Sequence, residues 1–438
     1  MAGQRSGLHG LPFPSKLARD FTRKGSHARQ EGDIVVTLDL RAAGTGGVEG
    51  EEILGLVPLG SQGGRKLFPP ATRPPRGWGR TPGHTYGTHS RSVEDSRVPY
   101  CTSIDTITRN VQDILTHAMS WDGSASALVL HDRHCALACD LTAAYERCLP
   151  DATSLDYEDL EPGQAGSAFD ALSPGDLVVL IQSTRFQVEA FRFRIELFKR
   201  SLKVIEHPHL ARMAPDEAQT YVDALAYDPV YTRETGVALK ERVDRAKEGS
   251  ILGDGLELVI AGPLEPARLN VGDYAHMQNV GGQYPIGEVF TEARRLEDLH
   301  GRARVYAFGD TSFCVNRPAT PITLVIEDGR VVQALESTDE FDRVLAQIRR
   351  DEDEVLVREL GLGLNRALTR ERIVNDIGTY ERMCGIHLSL GAKHHAYKKP
   401  GINKKFTKHH VDVFLVVDGF FLDGMKVYGD GKWCVLEG

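Results

Sequence analysis

Positions 408–419 read KHHVDVFLVVDG, an apolar run with an imidazole and a carboxylate built into it. Strand side chains alternate between faces, so His410 and Asp412 share one side, with Phe414 and Val416 continuing it. Burying such a pair is costly unless it is partnered. Two readings are open: Asp412 hydrogen-bonds the His410 ring, or both residues ligate a metal ion, for which neutral imidazole and carboxylate are standard donors.

Three upstream segments share this oddity. YPIGEVFTE (284–292) sets Glu288 beside an apolar pair, LVRELGLGLN (356–365) carries Glu359, and ERMCGIHLSLG (381–391) embeds His387 in a small apolar strand. Taken singly, each has a local explanation, such as Glu288 with Arg294, or Glu359 with Arg358 or Arg366. Together they are three carboxylates and two imidazoles in one region whose basic residues fall in expected loops. A pair of divalent cations neutralises such a set, and two-metal sites use this mixture of ligands.

The elements that must hold these residues follow from hydrophobic periodicity. SALVLH (126–131) and GDLVVLIQ (175–182) read as short buried strands, each followed by helical spacing, as in EAFRFRIELFKRSL (189–202). That alternation predicts an α/β domain with a parallel sheet over residues 105–250. No GxGxxG or Walker-type loop follows either strand. Helical stretches at 215–226 and 231–247 lead into residues 251–438, expected to form a mixed or antiparallel α+β metal-binding catalytic domain. Its elements are LELVIAG (256–262), a hairpin at 322–336 turning at Asp328-Gly329, a polar helix at 338–351 and a strand at 354–360 that turns through Gly361 and Gly363. Residues 1–104, acid-poor near the start and rich in Pro, Gly, Arg and Ser over 68–92, read as a disordered extension.

Composition narrows the setting. The 438-residue chain carries a net charge of −9, which gives no general attraction to nucleic acid or to an anionic membrane. Seven cysteines without a CxxC pair suit a reducing, cytoplasmic compartment. No apolar run approaches the roughly 18–20 residues of a membrane span. HDRHCALAC (131–139) crowds His131, His134, Cys135 and Cys139 too closely for the two separated knuckles of a structural zinc site. Cys384 near His387 is no evidence of a nucleophilic dyad, because such partners meet through the fold.

The order GEVFTE, ELGLGLN, GIHLSLG, HHVDVF resembles the M29 metallopeptidases, the thermophilic aminopeptidase T family, and their wider superfamily, which includes short members similar to iron-dependent 2,5-dihydroxypyridine dioxygenases. The resemblance covers roughly 250–430, weakens back to about 105, and rests on four motifs in order. It implies Glu288, His387, His410 and Asp412 as metal ligands, Glu359 as a ligand or bridging carboxylate, and Asp412 as a candidate bridge. Glu381 looks like the acidic residue that precedes the histidine in the family. Two zinc ions (or cobalt or manganese), a small peptide or small-molecule substrate and a homodimer are further implications. Where peptidase members have a tyrosine after that histidine, this chain has His394, with Tyr397 three residues on.

The expected function is a metal-dependent hydrolase of aminopeptidase type. Glu359 or Glu381 would shuttle the proton, His394, Lys398 or Tyr397 would donate to the oxyanion, and Glu292 is available for the substrate amino terminus. The alternative is a mononuclear Fe(II) ring-cleaving dioxygenase using His387, His410 and Asp412; the lysines at 398, 399, 404, 405 and 408 read first as a solvated loop and would suit an anionic aromatic substrate in either case. A third class is a protein that keeps a metal for stability alone, with closed coordination.

Overall fold

Leu177–Ile181 is buried along its whole length, because helices cover both faces of the parallel sheet to which it belongs. The computed structural model describes residues 103–436, apart from 185, 187–192, 275–276, 395 and 403–406. Nearly all of the expected disordered extension, and Lys404 and Lys405, thus lie outside the described residues.

In the parallel sheet, β1 (Ala127–His131) lies between β2 (Thr153–Asp156) and β3 (Leu177–Ile181), with β4 (Lys203–His207) beyond β3. Alternation sends Leu128, Leu130, Val178 and Leu180 to one apolar layer and Val129, Val179 and Ile181 to the other. The edge strand is Gly281–Gln283, which comes from beyond residue 250 and pairs with β4.

The other sheet is larger and antiparallel. With Gly281–Gln283 of the parallel sheet numbered β8, its strands include β5 (Gly249–Gly253), β6 (Leu256–Ile260), β7 (Arg268–Asn270), β9 (Glu288–Thr291) and β10 (Leu299–Gly309). They continue with β11 (Val315–Asn316), β12 (Ile322–Glu327), β13 (Arg330–Leu335), β14 (Val357–Gly363), β15 (Gly385–Leu390) and β16 (Val411–Leu415). The central run is β6-β10-β16-β15-β14-β9-β7. The hairpin forms as expected, with β12 against β13 and positive φ at Asp328 (49°) and Gly329 (71°), the conformation its tight turn needs. The polar helix spans Asp339–Glu352 and buries Phe341, Val344, Leu345 and Ile348 on the sheet's apolar layer.

One element departs from expectation. Gly361 and Gly363 do not form a turn: β14 runs through both, paired with β15 on one side and β9 on the other. Glycine, a frequent turn residue, serves this sheet instead through its lack of a side chain. Among the described residues no helix is long and apolar enough to cross a membrane.

Candidate metal centre

Period-two patterning on four adjacent strands gathers the site. In β15, Ile386, Leu388 and Leu390 enter the apolar layer, leaving His387 and Ser389 on the opposite face. In β16, Val411, Val413 and Leu415 do the same and leave Asp412 and Phe414. Val289 does so in β9 and leaves Glu288. Register then sets Glu359, Ser389 and Asp412 abreast across β14, β15 and β16, while Gly361 pairs with His387 and Gly363 with Glu288. A bulge at Arg358 keeps Val357 in the apolar layer while Glu359 points to the other face.

Gly361 is what lets the His387 ring cross β14. A Cβ there would lie 2.0 Å from His387 Cε1 and 2.1 Å from Nε2, so the imidazole occupies the space a side chain would fill. Its Nε2 thereby reaches Oε1 of Glu359 at 3.4 Å and Oε1 of Glu288 at 3.6 Å. Nδ1 of His387 is buried with no hydrogen-bond partner among the described residues, so packing over Gly361 and against Phe414, with the Nε2 contact to Glu359, orients the ring.

Two groups of three donors result. Glu288, Glu359 and His387 form a buried group, and Glu381, His410 and Asp412 a partly exposed one, with the donor atoms of each group within 4.8 Å of one another. In the second, His410 Nε2 stands 3.3 Å from Asp412 Oδ1, which also accepts from Ser389 Oγ at 2.5 Å. Lys393 O lies 3.2 Å from His410 Nδ1. Glu381 follows a short helical turn, Ile377–Tyr380, capped by the Asp376 side chain, which is held by Arg212 at 2.9 Å.

The other named residues fall around these groups. His394 Nε2 lies 2.9 Å from Glu359 Oε2 but out of line for a hydrogen bond. Tyr397 is turned away, its hydroxyl donating to Pro266 O at 2.7 Å. Glu292 is not available for a substrate amino terminus, being 1% exposed and held by Arg358 at 2.9 Å and Lys399 at 3.0 Å.

The premise that basic residues keep to loops needs correction too. Arg382 is buried and its Nη1 meets both Glu288, at 2.9 Å, and Glu381. Arg358 is buried and also donates to the carbonyls of Ala392, His394 and Tyr397, pinning the segment that carries His394. Lys399, expected in a solvated run, is buried on Glu265 and Glu292. Glu288 pairs with Arg382 rather than Arg294, and Arg366 pairs with Asp228 rather than Glu359. A basic residue directly after Glu381 was the visible signal for Arg382.

Electrostatics divide the carboxylates. Burial raises Glu288 despite Arg382 beside it, and raises Glu381 to about 8. Burial also opposes ionisation of Glu359 and Asp412, but neighbouring imidazolium charge overcomes it: His394 and His387 hold Glu359 well below the usual range, and His410 lowers Asp412. Burial disfavours the charged histidines, yet the surrounding carboxylates raise His387 to about 9, His394 to about 9 and His410 to about 10.

The donor spacing fits a metal. Two donors bound to one ion at about 2.0–2.1 Å and at the tetrahedral angle stand about 3.4 Å apart. The separations of 3.4 and 3.6 Å around His387 Nε2 and 3.3 Å at His410 match that distance. The 3.4 Å contact also serves as a long hydrogen bond between His387 Nε2 and Glu359 when that nitrogen carries a proton.

No family model matches the chain. No curated protein matches it. Among solved structures it is similar to one described as wild-type AmpT from Thermus thermophilus, at 13% identity and a TM-score of 0.48, covering 75% of this chain and 99% of that one. A likeness of that degree leaves the geometry of the cluster as the ground for function.

Proposed function

We propose that the chain is a divalent-metal hydrolase of aminopeptidase type, with Glu288, Glu359, His387, His410 and Asp412 as its metal-binding residues. The observation that carries this is the convergence of Glu288, Glu359 and His387 on one buried point, with the two carboxylates 3.6 and 3.4 Å from His387 Nε2. The division of donors supports the hydrolase over a ring-cleaving oxygenase, whose set His387, His410 and Asp412 draws on both groups. A divalent ion supplies a water of near-neutral pKa and polarises a carbonyl oxygen.

The protein's own groups do the rest. Glu381, partly exposed and raised to about 8, takes and returns a proton near neutral pH. His394, fixed over Glu359 by the Arg358-bound segment, donates to a developing oxyanion once protonated. Substrate enters beside His410, whose side chain is 31% exposed where His387 is fully buried.

The test is release of N-terminal amino acids from short unblocked peptides by the chain loaded with zinc, manganese or cobalt. Activity lost to a chelator and restored by metal supports the reading. Glu381→Gln should keep the metal and lower kcat by about 10²–10⁴-fold. No hydrolysis with any of the three metals, or oxygen uptake on a dihydroxylated aromatic ring with Fe(II), contradicts it.

A further inference from the structure

Arg382 occupies an unusual place. Its Nη1 touches Oε2 of Glu288 and Oε1 of Glu381, one carboxylate from each donor group, so a single guanidinium nitrogen sits between the two. The residue is 8% exposed. Its backbone is fixed as well as its side chain, since Arg382 O accepts from Asn365 N at 2.9 Å. A Cβ on Gly363 would lie 2.8 Å from Arg382 C and 1.9 Å from Met383 O, so β14 closes directly on this segment.

A guanidinium stays charged at any pH the protein meets, so this is a permanent cation within the cluster. It holds one oxygen of Glu288 and one of Glu381, leaving Glu288 Oε1 turned towards His387. The Glu288, Glu359 and His387 donors therefore remain convergent. That is three protein ligands, the number that leaves a fourth, open position in a catalytic zinc site. The Glu381, His410 and Asp412 group has its only glutamate tied to Arg382, and a second dication there would stand against the guanidinium.

We infer that Arg382 replaces the second cation: the centre takes one divalent ion, held by Glu288, Glu359 and His387, and the guanidinium compensates the carboxylates between the groups. This rests on the reading of the cluster as a metal centre; it narrows the five proposed metal-binding residues to three, leaving His410 and Asp412 beside the ion, and revises the expectation of two ions.

The experiment uses the full chain, loaded with Mn(II) and dialysed, with manganese and protein measured together. Wild type should hold about one ion per chain and give the six-line resonance of isolated Mn(II). Arg382→Met, which keeps length and removes charge, should take up about two ions and show spin-coupled manganese, while Arg382→Lys should stay at about one. Two ions in wild type, or a folded Arg382→Met variant still holding one, overturns the inference. Should Arg382→Met fail to fold by circular dichroism, wild-type stoichiometry and resonance decide alone. No manganese in wild type instead refutes the metal centre itself, which separates the two failures.

Discussion

Gly361→Ala tests the idea that an absent side chain makes room for His387. The added Cβ would lie 2.0 Å from Cε1 and 2.1 Å from Nε2 of the ring, whereas non-bonded heavy atoms settle at about 3.5–4.0 Å. The imidazole must therefore retreat by about 1.4 Å or more, in a place where it is fully buried against Phe414. A displacement of that size forfeits a metal bond of about 2.0–2.1 Å, and the overpacking costs about 1–3 kcal/mol of stability. Metal affinity measured by chelator competition should fall by at least about 100-fold, more than loss of a supporting partner costs. Gly166→Ala, whose new Cβ meets nothing within 4 Å, is the control and should bind metal as wild type does. If Gly361→Ala binds metal with unchanged affinity, His387 does not reach the ion across β14 and the geometric argument fails.

Further outcomes follow from other parts of the structure. Because His387, His394 and His410 are raised to about 9, 9 and 10 without metal, uptake at neutral pH should release protons and affinity should rise with pH towards 9. Calorimetry in two buffers of different ionisation enthalpy measures this, and identical heats would contradict it. His207 is buried between the hydroxyls of Tyr145 at 2.7 Å and Tyr221 at 2.8 Å, and burial depresses it to about 3. The unfolded imidazole binds a proton below about 6.5, so the unfolded state holds more protons between about 6.5 and 3 and stability falls as pH falls through that window. The loss should be about 2 kcal/mol at pH 5, read by urea denaturation, and His207→Gln should lack it. Arg358→Met leaves Glu292 with Lys399 and the more distant His394 Nδ1 at 3.6 Å, and frees the carbonyls of Ala392, His394 and Tyr397; it should cost about 3–5 kcal/mol in denaturant melts. A change within about 0.5 kcal/mol, the size of a surface substitution, would show that the buried network does not hold the His394 segment.

Local patterning made the ligand-bearing strands legible. The alternation in GIHLSLG and HHVDVF identifies which side chains leave the apolar layer, and the structure places them there. Register was not legible, because the row Glu359, Ser389, Asp412 depends on pairings between segments far apart in the chain and on a bulge at Arg358. The basic partners escaped for a related reason. Lys399 looks solvated within a lysine-rich run until Glu265 and Glu292 arrive from distant segments to receive it. Gly361 looks like a turn until the ring on the next strand is seen to fill its space. Tyr397 stands close to the expected tyrosine by count, yet its loop directs the hydroxyl to Pro266.

The most direct test of the central claim is the metal content of the full chain after loading with zinc or manganese and exhaustive dialysis, compared with His387→Ala and Glu359→Ala. The geometry predicts a tightly held ion in wild type and its loss from both variants, with circular dichroism unchanged. A wild-type chain that retains no ion, or variants that retain it in full, would contradict the assignment of this cluster as a metal centre.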